Sequence, residues 1–124
     1  LDHVRAARLN SGAFDRLKAD ETIGVLLYAE GGEAADARYH VRMFAPNAGI
    51  PEDPATGSAA AGLPGQIALA SGLTGGTQTW VIEQGFEMGR PSRIHVSVEA
   101  KEGAVAGVRV GGEAVSVMRG QLDF

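Results

Sequence analysis

The residues best placed to do chemistry lie between Arg42 and Gly62, in the stretch RMFAPNAGIPEDPATGSAAAG. A proline-stiffened loop presents Glu52 and Asp53, and Thr56-Gly57-Ser58 then opens a run of small residues. The first turn of a helix leaves backbone N–H groups unpaired and carries a partial positive charge, so a helix starting here is suited to a substrate carboxylate. Gly57 has no side chain to keep a ligand from that backbone, and Ser58 adds a hydroxyl. Asp53, four residues before Gly57, is in range of the same spot, where it can hold a polar group or handle a proton. The same residue types have a plainer use, because Asp53 or Thr56 can simply cap the helix. Spacing alone leaves both readings open. It does exclude a Walker-type phosphate loop, since no GxxxxGK[ST] pattern is present.

Composition removes several classes. The chain has 124 residues, enough for one domain, and no cysteine. Disulfides, thiolate metal sites and thiol nucleophiles are thereby excluded. A net charge of −4 argues against nucleic acid and against an anionic membrane surface. No apolar run approaches the roughly 20 residues that span a bilayer, and no secretory leader is visible, so the cytoplasm is the expected compartment. His3, His40 and His95 are scattered without ligand spacing, so no metal is expected. The chain starts at Leu1 rather than Met, which reads as a trimmed product, a fragment or a piece of a longer polypeptide.

The elements that must position these residues follow from periodicity. Residues 2–19 read as a helical or turn-rich lead-in broken at Asn10-Ser11-Gly12. From Thr22 the period becomes two, and the apolar character of both faces predicts a strand covered on both sides. Residues 38–45 form the next strand, with Tyr39, Val41 and Met43 on one face and His40, Arg42 and Phe44 on the other. Pro46 to Pro54 is expected to be irregular. Residues 57–71 carry no charge and predict a buried central helix, kinked at Pro64 and closed by Gly72. Further strands are expected over 78–85, 93–99, 104–110 and 113–119, the last pair joined at Gly111-Gly112. Trp80 reads as core. Arg90-Pro91-Ser92-Arg93 reads as a solvated turn, and Glu83 and Glu87 as a bulged strand end. The sum is an α+β fold in which a curved, barrel-like sheet, mostly antiparallel or mixed, wraps round a central apolar helix.

The string GIPEDPATGSAAAG after the strand RMFAP resembles the signature of the C-terminal half of PhzF-like proteins, the phenazine-biosynthesis isomerases and their relatives. IEQGFEMGRPSRIHVSVE and VRVGGEAVSVMRGQL resemble that family's ending, so the likeness covers residues 22–124. It implies one half of a diaminopimelate-epimerase-like fold, with the active site in a cleft between two similar domains. It assigns substrate-holding roles to Asp53, Gly57 and Ser58, with Asp53 and Ser58 the catalytic candidates here. The reaction it implies is an isomerisation without metal or organic cofactor, in which a glutamate of the N-terminal domain shuttles the proton. That domain has no counterpart in these residues, and Glu52, Glu83 and Glu87 do not match the shuttle.

Two functions follow as expectations. The first is a cofactor-independent acid/base isomerase acting on a small carboxylate-bearing substrate, represented by its C-terminal domain and inactive alone. The alternative is a non-catalytic half-domain that binds a carboxylate or pairs with another chain. Both imply a homodimer or pairing with an N-terminal half. A racemase of the same fold normally needs two thiols, which this chain lacks.

Overall fold

Strand β2 (Tyr39–Ala45) is the axis of the fold, buried on both faces along nearly its whole length. The computed structural model describes residues 1–17 and 22–123. Strand β1 (Val25–Glu30) pairs antiparallel along one edge of β2, from Val25 opposite Phe44 to Glu30 opposite Tyr39. The other edge is shared. Tyr39, His40 and Val41 pair in parallel with Ile82, Glu83 and Gln84 at the end of β4 (Gly76–Gln84). Met43 and Ala45 pair antiparallel with Asp53 and Ile50 of β3 (Ile50–Asp53). The last residue of β3 and the last residue of β4 therefore meet beside the middle of β2.

Antiparallel β5 (Ser92–Lys101) and β6 (Ala104–Gly111) extend the sheet in the order β1-β2-β4-β5-β6. The clean alternation in β5 puts Ile94, Val96 and Val98 inside, as periodicity predicts. Helix α3 (Gly57–Ser71) lies against β5 and β6. Ala60 and Leu63 of α3 join Tyr39, Val41, Trp80, Ile82 and the three inward residues of β5 in one core. Tyr39 packs edge-on against Trp80 with ring centroids 5.4 Å apart.

Five expectations need correction. The sheet is open rather than closed into a barrel, with β1 and β6 as edges. Helix α3 has the expected bounds, Pro64 included, but is not buried all round: Ala60, Leu63 and Pro64 are buried, whereas Leu69 is 86% exposed. A charge-free surface of Ala and Gly offers little apolar area per residue, so it needs cover on one side only. Residues 50–53 are a strand despite Pro51, which sits where β3 meets β2 through a bulge. Residues 113–119 form no strand, and β6 ends at Gly111 without a hairpin beyond it. Strand β1 is also only half-buried, so its second apolar face lacks full cover.

The lead-in forms two short helices, α1 (Asp2–Ala6) and α2 (Ser11–Leu17), which bury Val4 and Phe14. The Asn10 side chain accepts the Ala13 N–H at 2.9 Å and so starts α2. Residues 18 and 19 of that lead-in lie outside the described residues. No helix among the described residues is long and apolar enough to cross a membrane.

Candidate functional site

The turn from Asp53 to Thr56 is held from below by Gln84. Because Val41 pairs with Gln84 and Met43 with Asp53, the two strand ends are neighbours. The Gln84 side chain, fully buried, donates to the Asp53 carbonyl at 2.6 Å and to Thr56 Oγ1 at 3.0 Å. Its Oε1 accepts the Thr56 N–H at 3.1 Å. Gly85 follows in the left-handed region, at φ +80°, and a Cβ there would lie 2.8 Å from the Pro54 carbonyl oxygen and 2.3 Å from that of Arg90. Only glycine permits this approach of backbone to backbone.

Thr56 is the N-cap residue of α3, yet its hydroxyl makes no cap bond. It donates instead to Asp53 Oδ2 at 2.5 Å. Of the helix's first N–H groups, that of Ala60 reaches the Thr56 carbonyl at 3.0 Å. Neither Thr56 nor Asp53 caps the helix with its side chain, so the bland use of these residues is not the one observed. Gly57 and Ser58 are exposed at the start of α3. Beside Gly57 opens a hollow of about 530 Å³ whose lining includes Ala55, Arg93, His95, Gly112 and Glu113. Asp53 sits on the preceding turn, and its carboxylate is turned to Thr56 rather than to Ser58.

Behind β2 runs a second feature that sequence reading missed. Arg42, 5% exposed, pairs with Glu52 through Nε–Oε1 and Nη2–Oε2, both 2.8 Å. This bonding holds the guanidinium pKa above its ordinary value. Glu87 lies 3.8 Å from Arg42 Nε and accepts from His40 Nε2 at 2.9 Å. His40 Nδ1, fully buried, faces Glu83 Oε2 at 3.5 Å. Glu83 in turn accepts the N–H groups of Glu33 and Ala34, at 2.7 and 2.9 Å. Arg93 lies 3.9 Å from Glu83 and bonds Asp36 at 2.6 Å. The Arg93 guanidinium holds the Asp36 carboxyl below its usual range.

Cross-strand pairing builds this chain: His40 of β2 and Glu83 of β4 are partners, and Arg42 sits two residues on. The signal in the sequence was His40 and Arg42 on the second face of β2, both buried, with Arg42 turned to α1 rather than to water. Arg42 Nη1 shows this directly, donating to the carbonyls of Val4, Arg5 and Ala7 at the end of α1. Glu83 does lie at the end of β4, without a bulge, and is a buried anchor, whereas Glu87 lies beyond Gly85 and keeps an exposed position while its carboxylate reaches His40. Glu52, Glu83 and Glu87 are all engaged in this network, and none opens toward the start of α3. No group of three or more His, Asp or Glu among the described residues has metal-ligand geometry.

The phenazine biosynthesis-like protein family (PhzC-PhzF) matches residues 2–120, so the likeness reaches into the lead-in that the motifs did not cover. An uncharacterized isomerase of Mesorhizobium japonicum is 47% identical over 87 residues, covering 70% of this chain and 29% of that protein. One from Pasteurella multocida is 32% identical over 123 residues, 98% of this chain and 38% of that protein. A trans-2,3-dihydro-3-hydroxyanthranilate isomerase of Pseudomonas chlororaphis is 38% identical over 88 residues, 71% of this chain and 31% of that protein. The chain thus matches well under half the length of these relatives.

Proposed function

Since this chain belongs to the phenazine biosynthesis-like (PhzC-PhzF) family, whose relatives here include isomerases, we propose that it forms one wall of an isomerase site. In this reading the start of α3 receives the carboxylate of a small substrate. Ser58 and the backbone at Gly57 bind it, and Asp53 holds a polar group beside the reacting carbon. The proton moves without cofactor or metal, carried by an acid outside these residues.

The observation that carries the reading is the Thr56 hydroxyl. It is turned to Asp53 instead of capping α3, so a helix start without a side-chain cap and an aligned carboxylate stand side by side. A carboxylate at those N–H groups satisfies donors that the protein itself leaves open. The engagement of Glu52, Glu83 and Glu87 elsewhere supports placing the shuttling acid on another part of the protein.

The test uses 3-hydroxyanthranilate, a stable aromatic carboxylate related to the substrate named for the Pseudomonas relative. Amide shifts at Gly57, Ser58 and Ala59 are expected, with an affinity in the roughly millimolar range for a single wall. The chain alone should show no turnover, since general acid–base help is worth about 100- to 10,000-fold and its acid is missing. Unmoved amides at saturation would overturn the carboxylate site. Turnover proportional to chain concentration would overturn the division of labour. The non-catalytic reading gains if the probe binds and addition of the remaining part of the protein yields no isomerisation.

A further inference from the structure

We infer that Gln84 is a positioning residue that fixes the rotamer of Asp53 and so leaves one of its carboxylate oxygens facing the substrate; the inference rests on the isomerase-site reading above. The argument is one of hydrogen-bond valence. A carboxamide has two N–H donors and an acceptor oxygen. Gln84 spends both donor directions on the Asp53 carbonyl and Thr56 Oγ1, and its oxygen on the Thr56 N–H. The reverse orientation would set its oxygen against a carbonyl and its nitrogen against an N–H, so the amide cannot flip.

That orientation sets the next proton. Thr56 Oγ1 accepts from Gln84 and donates its single proton to Asp53 Oδ2, 2.5 Å away. Oδ2 is thereby an acceptor, occupied from the protein side. Oδ1 has no partner among the described residues and is the oxygen left for a ligand. Gln84 itself never reaches the substrate: it is fully buried and acts through Thr56. The IEQG stretch gives Gln84 no distinction in the sequence. Its role appears only because β3 and β4 end side by side on β2.

The test compares the 124-residue chain with Thr56→Val, Thr56→Ser and Gln84→Met, read by 3-hydroxyanthranilate binding and by three-bond couplings reporting the Asp53 χ1 rotamer. The wild type and Thr56→Ser should hold one Asp53 rotamer, whereas Thr56→Val and Gln84→Met should average it. Affinity should fall about tenfold in the two averaging variants, the scale of one lost hydrogen bond, and recover within about twofold in Thr56→Ser. A purely structural Gln84 would lower the unfolding midpoint while leaving both the rotamer and the affinity of the folded protein unchanged, which would overturn the inference. If the wild type does not bind the probe, the site reading fails and the rotamer data still decide the wiring: an unaltered Asp53 rotamer in both variants overturns it.

Discussion

Arg42 and Glu52 meet through two parallel bonds of 2.8 Å, and the remaining nitrogen of Arg42 closes the end of α1. One side chain on β2 therefore ties down β3, which carries Asp53, and the N-terminal helix. Arg42→Met removes the cation but leaves the Glu52 carboxylate and three carbonyl groups without their donor. Breaking a buried pair from one side costs about 3–5 kcal/mol. Urea unfolding should show a loss of that size. A midpoint matching the wild type would mean that water replaces the guanidinium without penalty.

Glu83 takes the N–H groups of two consecutive loop residues, Glu33 and Ala34, one on each oxygen. Gly32 makes this possible, because a Cβ there would lie 2.3 Å from Glu83 Oε2. Glu83→Gln keeps the shape but has a single acceptor oxygen, so one loop N–H is left facing an amide NH₂. The expected loss is about 2 kcal/mol, with faster amide exchange confined to residues 31–37. Unchanged exchange there would show that the loop does not depend on this carboxylate.

Gly85→Ala tests the contact between the two strand ends. The added methyl meets backbone oxygens of Pro54 and Arg90, neither of which is a flexible side-chain tip. Positive φ adds its own strain, on the order of 1 kcal/mol. Destabilisation of more than about 2 kcal/mol is expected, together with loss of probe binding, since Pro54 belongs to the turn that holds Asp53. A variant as stable as the wild type would show that the turn is free to shift.

Acid should break the Asp36–Arg93 pair only after ordinary carboxylates have taken up their protons. The Asp36 carboxyl lies below the ordinary 3.8 because Arg93 donates to it. A depressed folded-state value means stability that is complete above the unfolded value and lost as pH falls through the folded one. Asp36→Asn should therefore lower Tm slightly at neutral pH, by an amount that shrinks only below about 3.8. A gap that is constant through that range would show that the pair contributes nothing.

Local pattern carried much of the fold. Period-two alternation placed β2 and β5, and the charge-free run ending at Gly72 gave α3 its bounds. The motif EDPATGS located the turn before α3. What pattern could not supply was partnership. His40 and Glu83 are 43 positions apart, and only the parallel register of β2 with β4 puts them face to face. Gln84 likewise becomes part of the site through a strand pairing that leaves no periodic trace. The alternation of Val115 and Val117 predicted a strand, but residues 113–119 pair with no other strand among the described residues, and alternation alone does not make one.

That missing partner motivates the last prediction. Val115 and Val117 are 84% and 87% exposed, with Met118, Leu122 and Leu69 of α3 similarly bare. Burying each such side chain is worth about 1.5–3 kcal/mol, so several of them together favour association. The β6 edge adds unpaired backbone groups next to this segment. We propose that these surfaces are covered by a second copy of the chain. At micromolar concentration the chain alone should sediment as a dimer or larger species. Replacing Val115 and Val117 together by Ser should return it to monomer without loss of the β2–α3 core, since neither side chain packs there. A wild-type chain that sediments as a clean 12.8 kDa monomer and binds no hydrophobic dye would refute this. The exposed segment would then be tolerated by the free domain, and pairing would have to come from another surface.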